Sequence, residues 1–190
     1  MNSTSNLKTI KLLAILFISA LTFTACSEDD HDDHDDHDHE EEVITTLNYT
    51  LTNGSDVVTL SFSDPDGEGG NEGTYSISGP LKANTTYTGA IELLNETESP
   101  AEDITEEIEE EDDEHEFFFT STVAGLAITK TDADGNGNPL GLETSLTSGA
   151  AGSGSITVVL KHEPTKPNDG TSAGAGGNTD IEVTFNVTVE

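Results

Sequence analysis

The sequence predicts an all-β fold, an Ig-like or Greek-key β-sandwich of about eight or nine strands with one short acidic helix. From residue 43 onward, apolar and polar residues alternate in short segments, which is the period-two pattern of half-buried strands. Turns rich in Gly, Asn and Asp separate these segments. The chain of 190 residues is long enough for one domain of this kind.

The alternation marks the predicted strands one by one. The last is the clearest, because every second residue from Ile181 to Val189 is apolar and the residues between them are polar. Residues 164–179, just before it, are rich in Gly and Pro and predict a flexible loop. The residues that mark the strands, in chain order, are Leu47, Tyr49 and Leu51; Val58, Leu60 and Phe62; Tyr75 and Ile77; Tyr87, Ile91 and Leu93; Phe117 and Phe119; residues 126–130; Leu142, Thr144 and Leu146; Ile156, Val158 and Leu160; and the segment from Ile181.

One segment breaks the alternation and predicts a helix. Residues 99–102 have the Ser-x-x-Glu form of a capping box, with Pro100 at the first helical position. Ile104 and Ile108 follow four residues apart and form a narrow apolar stripe, whereas the opposite face is almost entirely acidic. A helix of about three turns with this charge is marginal unless it docks on the domain or binds cations.

The first 25 residues have the form of a secretory signal. Lys8 and Lys11 precede an apolar stretch, residues 12–23, which is shorter than the roughly 20 residues that span a bilayer. The segment ends in FTAC, residues 23–26, which resembles the lipobox of bacterial lipoproteins. That resemblance implies acylation of Cys26, the only cysteine of the chain. The alternative is an ordinary secreted protein with one free thiol.

Residues 27–42 (SEDDHDDHDDHDHEEE) predict a solvated tether. They comprise eleven acids, four histidines and one serine, so they bury no apolar area. Ser27 and the acids after it resemble the export signal that sends lipoproteins of Flavobacterium-type bacteria to the outer face of the outer membrane. The predicted organisation is a signal peptide (1–25), a lipid-anchored tether (26–42) and a β-sandwich domain (43–190).

The charge of the chain excludes several classes of function. With 38 acids against 6 basic residues and a formal charge of −32, the chain lacks the basic clusters that bind nucleic acid or anionic lipid headgroups. It has no G-x-S-x-G, P-loop or H-E-x-x-H motif, and its single cysteine is the predicted lipid attachment site. The sequence therefore predicts that the protein is not an enzyme.

The tether is the first of three candidate metal sites. His31, His34, His37 and His39 are interleaved with carboxylates, and this ligand combination suits Zn²⁺, Cu²⁺ or Ni²⁺. A flexible segment is not preorganised, so we expect modest affinity and loss of the ion when the histidines are protonated. The alternative is a solvating spacer in which the histidines have no role.

Two further candidate sites lie in the β domain. On a helix, His115 stands one turn from Glu111 and Asp112 and forms a His–carboxylate clip; the alternative is a solvated acidic face. Residues 132–143 match the D-x-D-x-N-G-x5-E pattern of a calcium loop. Strand-like flanks disfavour an EF-hand, which leaves a calcium-clamped hairpin or a plain Asp/Asn/Gly turn. The candidate calcium ligands are Asp132, Asp134, Asn136 and Glu143.

The mature chain resembles small surface lipoproteins of Bacteroidota. The resemblance lies in the layout of His/Asp-rich tether and β domain and in the stretches Ala83–Tyr87 (ANTTY) and Leu93–Thr97 (LLNET). It implies a cell-envelope role, with the N-terminal lipid in the membrane and an outer-membrane metal or nutrient receptor as neighbour. The first functional hypothesis is a surface lipoprotein that captures or buffers divalent cations. The alternatives are a structural or adhesive sandwich without a metal role, and a ligand-binding accessory to a transporter.

Overall fold

Ten strands in two antiparallel sheets, with two short helices, make up the described part of the chain, residues 42–67 and 70–190 of the computed structural model. The predicted all-β sandwich is confirmed. The strands are β1 (Thr46–Asn53), β2 (Asp56–Ser63), β3 (Thr74–Ile77), β4 (Thr86–Asn95), β5 (Glu102–Asp103), β6 (His115–Ser121), β7 (Ala127–Lys130), β8 (Glu143–Thr147), β9 (Gly152–His162) and β10 (Asn178–Val189). The helices are α1 (Ile104–Glu110) and α2 (Ser172–Ala175).

The two sheets share one hydrophobic core. The larger sheet has the strand order β3-β2-β1-β4-β8-β7, with β5 paired to β4, and the smaller sheet has the order β10-β9-β6. Alternate residues of each strand point inward, because successive side chains of a strand lie on opposite faces. The largest fully buried side chains are the aromatic Tyr49, Tyr87, Phe117 and Phe185 and the aliphatic Leu47, Leu51, Leu60, Leu81, Leu93, Ile104, Ile108 and Leu146.

The helix begins later than the sequence predicts. Glu102 pairs with Asn95 of β4 as part of the two-residue strand β5, so the expected capping box does not form. Asp103 is the N-cap instead, and its carboxylate accepts a hydrogen bond of 3.0 Å from the backbone N–H of Thr105. Helix α1 ends at Glu110, and the chain then turns into β6.

The loop before the last strand is held by side-chain contacts. Lys166 donates to the backbone carbonyl of Asp112 at 2.6 Å, and Asn168 donates to the Glu116 carboxylate at 2.6 Å. Residues 172–175 form the helical turn α2, whereas the sequence predicts a flexible loop there. Neither helix of the described residues has the length and apolar character that crossing a membrane requires.

Candidate metal centre

Two histidines face each other at one end of the smaller sheet. His115 is the first residue of β6 and His162 the last residue of β9, and the strand register makes them direct partners. Each continues the core-facing alternation of its strand: His115 stands two residues before the buried Phe117, and His162 two residues after the buried Leu160. Their ring centroids lie 4.7 Å apart, and their side chains are 0% and 5% exposed. The rings are therefore buried together at the end of the hydrophobic core.

A β-bulge adds a carboxylate from the third strand of this sheet. Thr179 pairs with Lys161 and Ile181 pairs with Leu160, so Asp180 is the extra residue at a register shift between these two pairs. Alternation along the strand predicts that Asp180 is exposed like Glu182, two residues later, but the Asp180 side chain is 0% exposed. Its Oδ1 lies 3.9 Å from Nδ1 of His162. The bulge thus turns an outward position inward.

Glu42, in the segment before β1, supplies the second carboxylate. Its side chain is 6% exposed, with Oε1 2.9 Å from Nε2 of His115 and Oε2 3.6 Å from Nδ1 of His162. The sequence had placed Glu42 at the end of the tether. These distances instead make Glu42 part of a cluster whose other members belong to the smaller sheet.

The four side chains present ligand atoms to a common point. One atom from each of Glu42, His115, His162 and Asp180 lies within 4.8 Å of the other three. A tetrahedral Zn²⁺ site with bonds of about 2.0–2.2 Å separates its ligand atoms by roughly 3.3–3.5 Å. The contacts of 2.9, 3.6 and 3.9 Å bracket that separation. This buried cluster has the composition and size to hold a metal ion.

Outer contacts orient both imidazole rings. Nδ1 of His115 lies 3.1 Å from the backbone carbonyl of Glu111, so it donates there and leaves Nε2 to face the cluster. Nε2 of His162 lies 3.7 Å from the carboxylate of Glu114, while its Nδ1 faces Glu42 and Asp180. A backbone carbonyl or a carboxylate behind each ring is the usual outer arrangement around metal-ligating histidine.

The electrostatics of the cluster favour a positive charge at its centre. Nε2 of His115 is close to Glu42 but is not directed along a hydrogen bond, and Oε2 of Glu42 accepts none. Burial alone would lower the pKa of His115, but the Glu42 carboxylate outweighs it and the net shift is upward. For Glu42, burial raises the pKa, and the contact with His115 outweighs it, so the net shift is downward. A proton or a cation therefore stabilises this arrangement.

The structure corrects the predicted environment of His115. The residue lies on a strand rather than on a helix, and its contact with Glu111 is through the backbone carbonyl. The expected clip with the carboxylates of Glu111 and Asp112 does not form, because helix α1 ends at Glu110. The ligand type was predicted, but the partners are Glu42, His162 and Asp180.

The predicted calcium ligands are engaged in a turn. Asp132 accepts hydrogen bonds from the backbone N–H groups of Gly141 and Glu143 at 2.7 and 3.0 Å. Asp134 accepts from the backbone N–H of Asn136 at 2.9 Å, and the ammonium of Lys166 lies 3.2 Å from its second oxygen. The side chains of Asn136 and Glu143 are exposed. These contacts are those of an Asp/Asn/Gly turn, and calcium binding at residues 132–143 stays a prediction.

The remaining predicted sites, Cys26 and the tether histidines His31, His34, His37 and His39, lie outside the described residues. Within the described part, the cluster of Glu42, His115, His162 and Asp180 is the one group of His and acidic side chains with converging ligand atoms. Comparison with family models, with curated proteins and with solved structures finds no match, so the chemistry of the site rests on its own geometry.

Proposed function

We propose that this protein is a surface-anchored lipoprotein that binds and buffers divalent metal ions, and that one ion is held by the buried cluster. The observation that supports the proposal is the burial of two imidazoles with two carboxylates, Glu42 and Asp180, around one point. Burying carboxylates in a protein core is costly unless a cation or hydrogen bonds compensate them. A purely adhesive sandwich has no need of such a group.

Zn²⁺ is the ion that best fits the cluster. Two imidazoles with two carboxylates form a borderline ligand set, whereas Ca²⁺ prefers six to eight oxygen ligands. Four protein ligands fill a tetrahedral shell, which is the form of a structural or storage site rather than of a catalytic one. We therefore assign to this site the tight retention of a single ion.

The surroundings of the cluster attract cations. Glu111 and Glu114 lie in the turn that connects α1 to β6, and the pKa of Glu107 is raised by burial and then by the neighbouring carboxylates of Glu102, Glu42 and Glu111. A surface of one sign raises the local concentration of counter-ions. The lysines of the described domain are engaged elsewhere: Lys82 with Asp56, Lys130 with Glu116, Lys161 with Thr179 and Lys166 with Asp134.

The tether and the buried cluster have complementary roles in this proposal. The histidines at 31, 34, 37 and 39 form an open, weaker site that exchanges ions with the medium. The buried cluster retains one ion. Acylation of Cys26 holds both at the outer membrane, where an outer-membrane transporter is the expected partner.

The experiment is a zinc titration of the full chain against a chromophoric chelator, with three variants. The first replaces the four tether histidines with Ala, the second combines His162→Ala with Asp180→Asn, and the third is Glu182→Gln. Glu182→Gln is the matched control, because it removes an exposed charge from the same strand two residues away. We expect the tight site to disappear only in the second variant and the weak sites only in the first. An absence of tight zinc binding in the unmodified chain contradicts the proposal and leaves the adhesive role.

A further inference from the structure

We propose that Glu42 is the movable ligand of the buried cluster. An ion enters and leaves by displacement of Glu42, and a bound ion fixes residues 42–44 to the smaller sheet. The inference rests on the proposed function, since it requires that the cluster binds an ion. It adds a route of exchange and a mechanical consequence for residues 42–44. Three features of the structure carry it.

The first feature is the difference in support between the four ligands. His115, His162 and Asp180 belong to β6, β9 and β10, which are paired along their length in one sheet. Glu42 belongs to no strand or helix. Within the described residues, no backbone hydrogen bond joins residues 42–44 to another element. Moving a ligand that lies on a strand breaks the backbone hydrogen bonds of that strand, whereas moving Glu42 breaks no backbone hydrogen bond to another described element.

The second feature is a firm anchor directly after this segment. The backbone N–H of Thr45 donates to Leu94 at 3.0 Å, and its carbonyl accepts from the N–H of Asp64 at 2.7 Å. Its hydroxyl accepts from the N–H of Glu96 at 2.8 Å. Rotation about residues 43 and 44 therefore displaces Glu42 without disturbing β1.

The third feature is that little packing holds the segment in place. The Val43 side chain is 53% exposed. Ile44 packs on the core as a partly buried residue. Glu42 itself is held by its polar contacts to His115 and His162. Segments with few buried contacts and few backbone hydrogen bonds open at low free-energy cost.

Charge makes the closed position dependent on the ion. Glu42 and Asp180 face the same ring, because Nδ1 of His162 lies 3.6 Å from the first and 3.9 Å from the second. Two carboxylates that share a buried site repel each other unless a cation lies between them. Bound Zn²⁺ therefore holds the arm formed by residues 42–44 closed more firmly than the imidazole contacts of Glu42 do alone, and loss of Zn²⁺ makes displacement of Glu42 easier.

The test uses the full chain with its four tether histidines replaced by Ala, so that Zn²⁺ has only the buried cluster. Cleavage by elastase after Val43 is followed by mass spectrometry with and without Zn²⁺, and zinc release to excess chelator is timed. Glu42→Gln is compared with Asp180→Asn, a matched loss of one buried carboxylate on a strand. We expect Zn²⁺ to slow this cleavage at least tenfold, because elastase needs the segment to leave the domain. We also expect Glu42→Gln, and not Asp180→Asn, to abolish that protection.

The rate of zinc release tests whether the ion leaves by displacement of Glu42. If Glu42 is the exit ligand, Glu42→Gln retains zinc on the three strand ligands but releases it at least tenfold faster than the unmodified chain. Equal rates of elastase cleavage after Val43 with and without Zn²⁺ overturn the movable arm while leaving the metal site standing. Unchanged release from Glu42→Gln overturns the exit route. Absence of zinc from the unmodified cluster instead refutes the proposed function itself.

Discussion

Nε2 of His115 lies 2.9 Å from Oε1 of Glu42, although the two residues are separated by more than 70 positions and both are buried. The opposite nitrogen of the ring faces the backbone carbonyl of Glu111. The nitrogen that faces Glu42 therefore carries a lone pair when the ring is neutral. A lone pair beside a buried carboxylate is repulsive, so a bound proton or cation stabilises the native structure.

Zinc should raise the thermal midpoint of the domain. A ligand at a hundred times its dissociation constant stabilises the native state by about 2.7 kcal/mol. For a domain of this size that corresponds to a shift of roughly 5–10 °C. The check is a thermal melt followed by circular dichroism with Zn²⁺ and with EDTA, on the chain without tether histidines. The double variant His162→Ala with Asp180→Asn should lose the shift and Glu182→Gln should keep it; equal shifts in both variants contradict the assigned site.

The carboxylate behind His162 should tune zinc affinity without being a ligand. Glu114 lies 3.7 Å from Nε2 of His162, and its side chain is 41% exposed. Outer partners of ligating histidines usually contribute 10–100-fold in metal affinity, and the exposure of Glu114 places it at about tenfold. A chelator competition assay on Glu114→Gln measures this effect. The control is Asp113→Asn, which removes an exposed neighbouring charge and should leave the affinity unchanged.

Removing the β-bulge should weaken zinc binding but preserve the sheet. Deletion of Asp180 brings Thr179 and Ile181 together, and their existing partners Lys161 and Leu160 are already consecutive. The ladder between β9 and β10 therefore becomes regular. We expect an unchanged far-ultraviolet circular dichroism spectrum and the zinc affinity of Asp180→Asn. Loss of the β spectrum is the result that would show the bulge to be a requirement of folding.

The turn at residues 132–143 should contribute acid-sensitive stability. Burial opposes ionisation of Asp134, but hydrogen bonds from Asn138 and Lys166 outweigh it and lower its pKa to about 2. Because the folded pKa lies below the ordinary value of about 3.9, the stabilisation is complete above pH ~4 and is lost as the pH falls towards 2. Urea unfolding of Asp134→Asn should show a deficit of about 1–3 kcal/mol at pH 7.

The pH dependence of that deficit is the informative part of the experiment. The difference between the unmodified chain and Asp134→Asn should shrink as the pH is lowered from about 4 to about 2. Asp113→Asn serves as the control, because Asp113 is exposed. A deficit that does not change over this range shows that the charge of Asp134 is not what stabilises the turn.

The sheets were predictable because alternation is a local property. All nine segments marked by period-two patterning are strands, and Ile104 and Ile108 are buried as the apolar stripe predicted. The helix start was wrong because pairing of Glu102 with Asn95 is a tertiary contact. The residues around Pro100 carry no local pattern that predicts this pairing.

The metal cluster was only half predictable. The alternation that buries Phe117 and Leu160 extends to His115 and His162, so a buried histidine pair was within reach of the strand pattern. Alternation along β10 predicts that Asp180 is exposed, and only the bulge turns its side chain inward. Glu42 lies in an acidic run where nothing distinguishes it from its neighbours. Ligands brought together by long-range register are not encoded in local spacing.

Anomalous diffraction at the zinc edge, measured on crystals of the zinc-loaded full chain, shows whether one Zn²⁺ ion sits among Glu42, His115, His162 and Asp180. We expect one strong peak about 2.0–2.1 Å from Nε2 of His115 and from Nδ1 of His162, with the carboxylates completing a tetrahedron. A zinc peak at the tether alone, with none between these two rings, contradicts it.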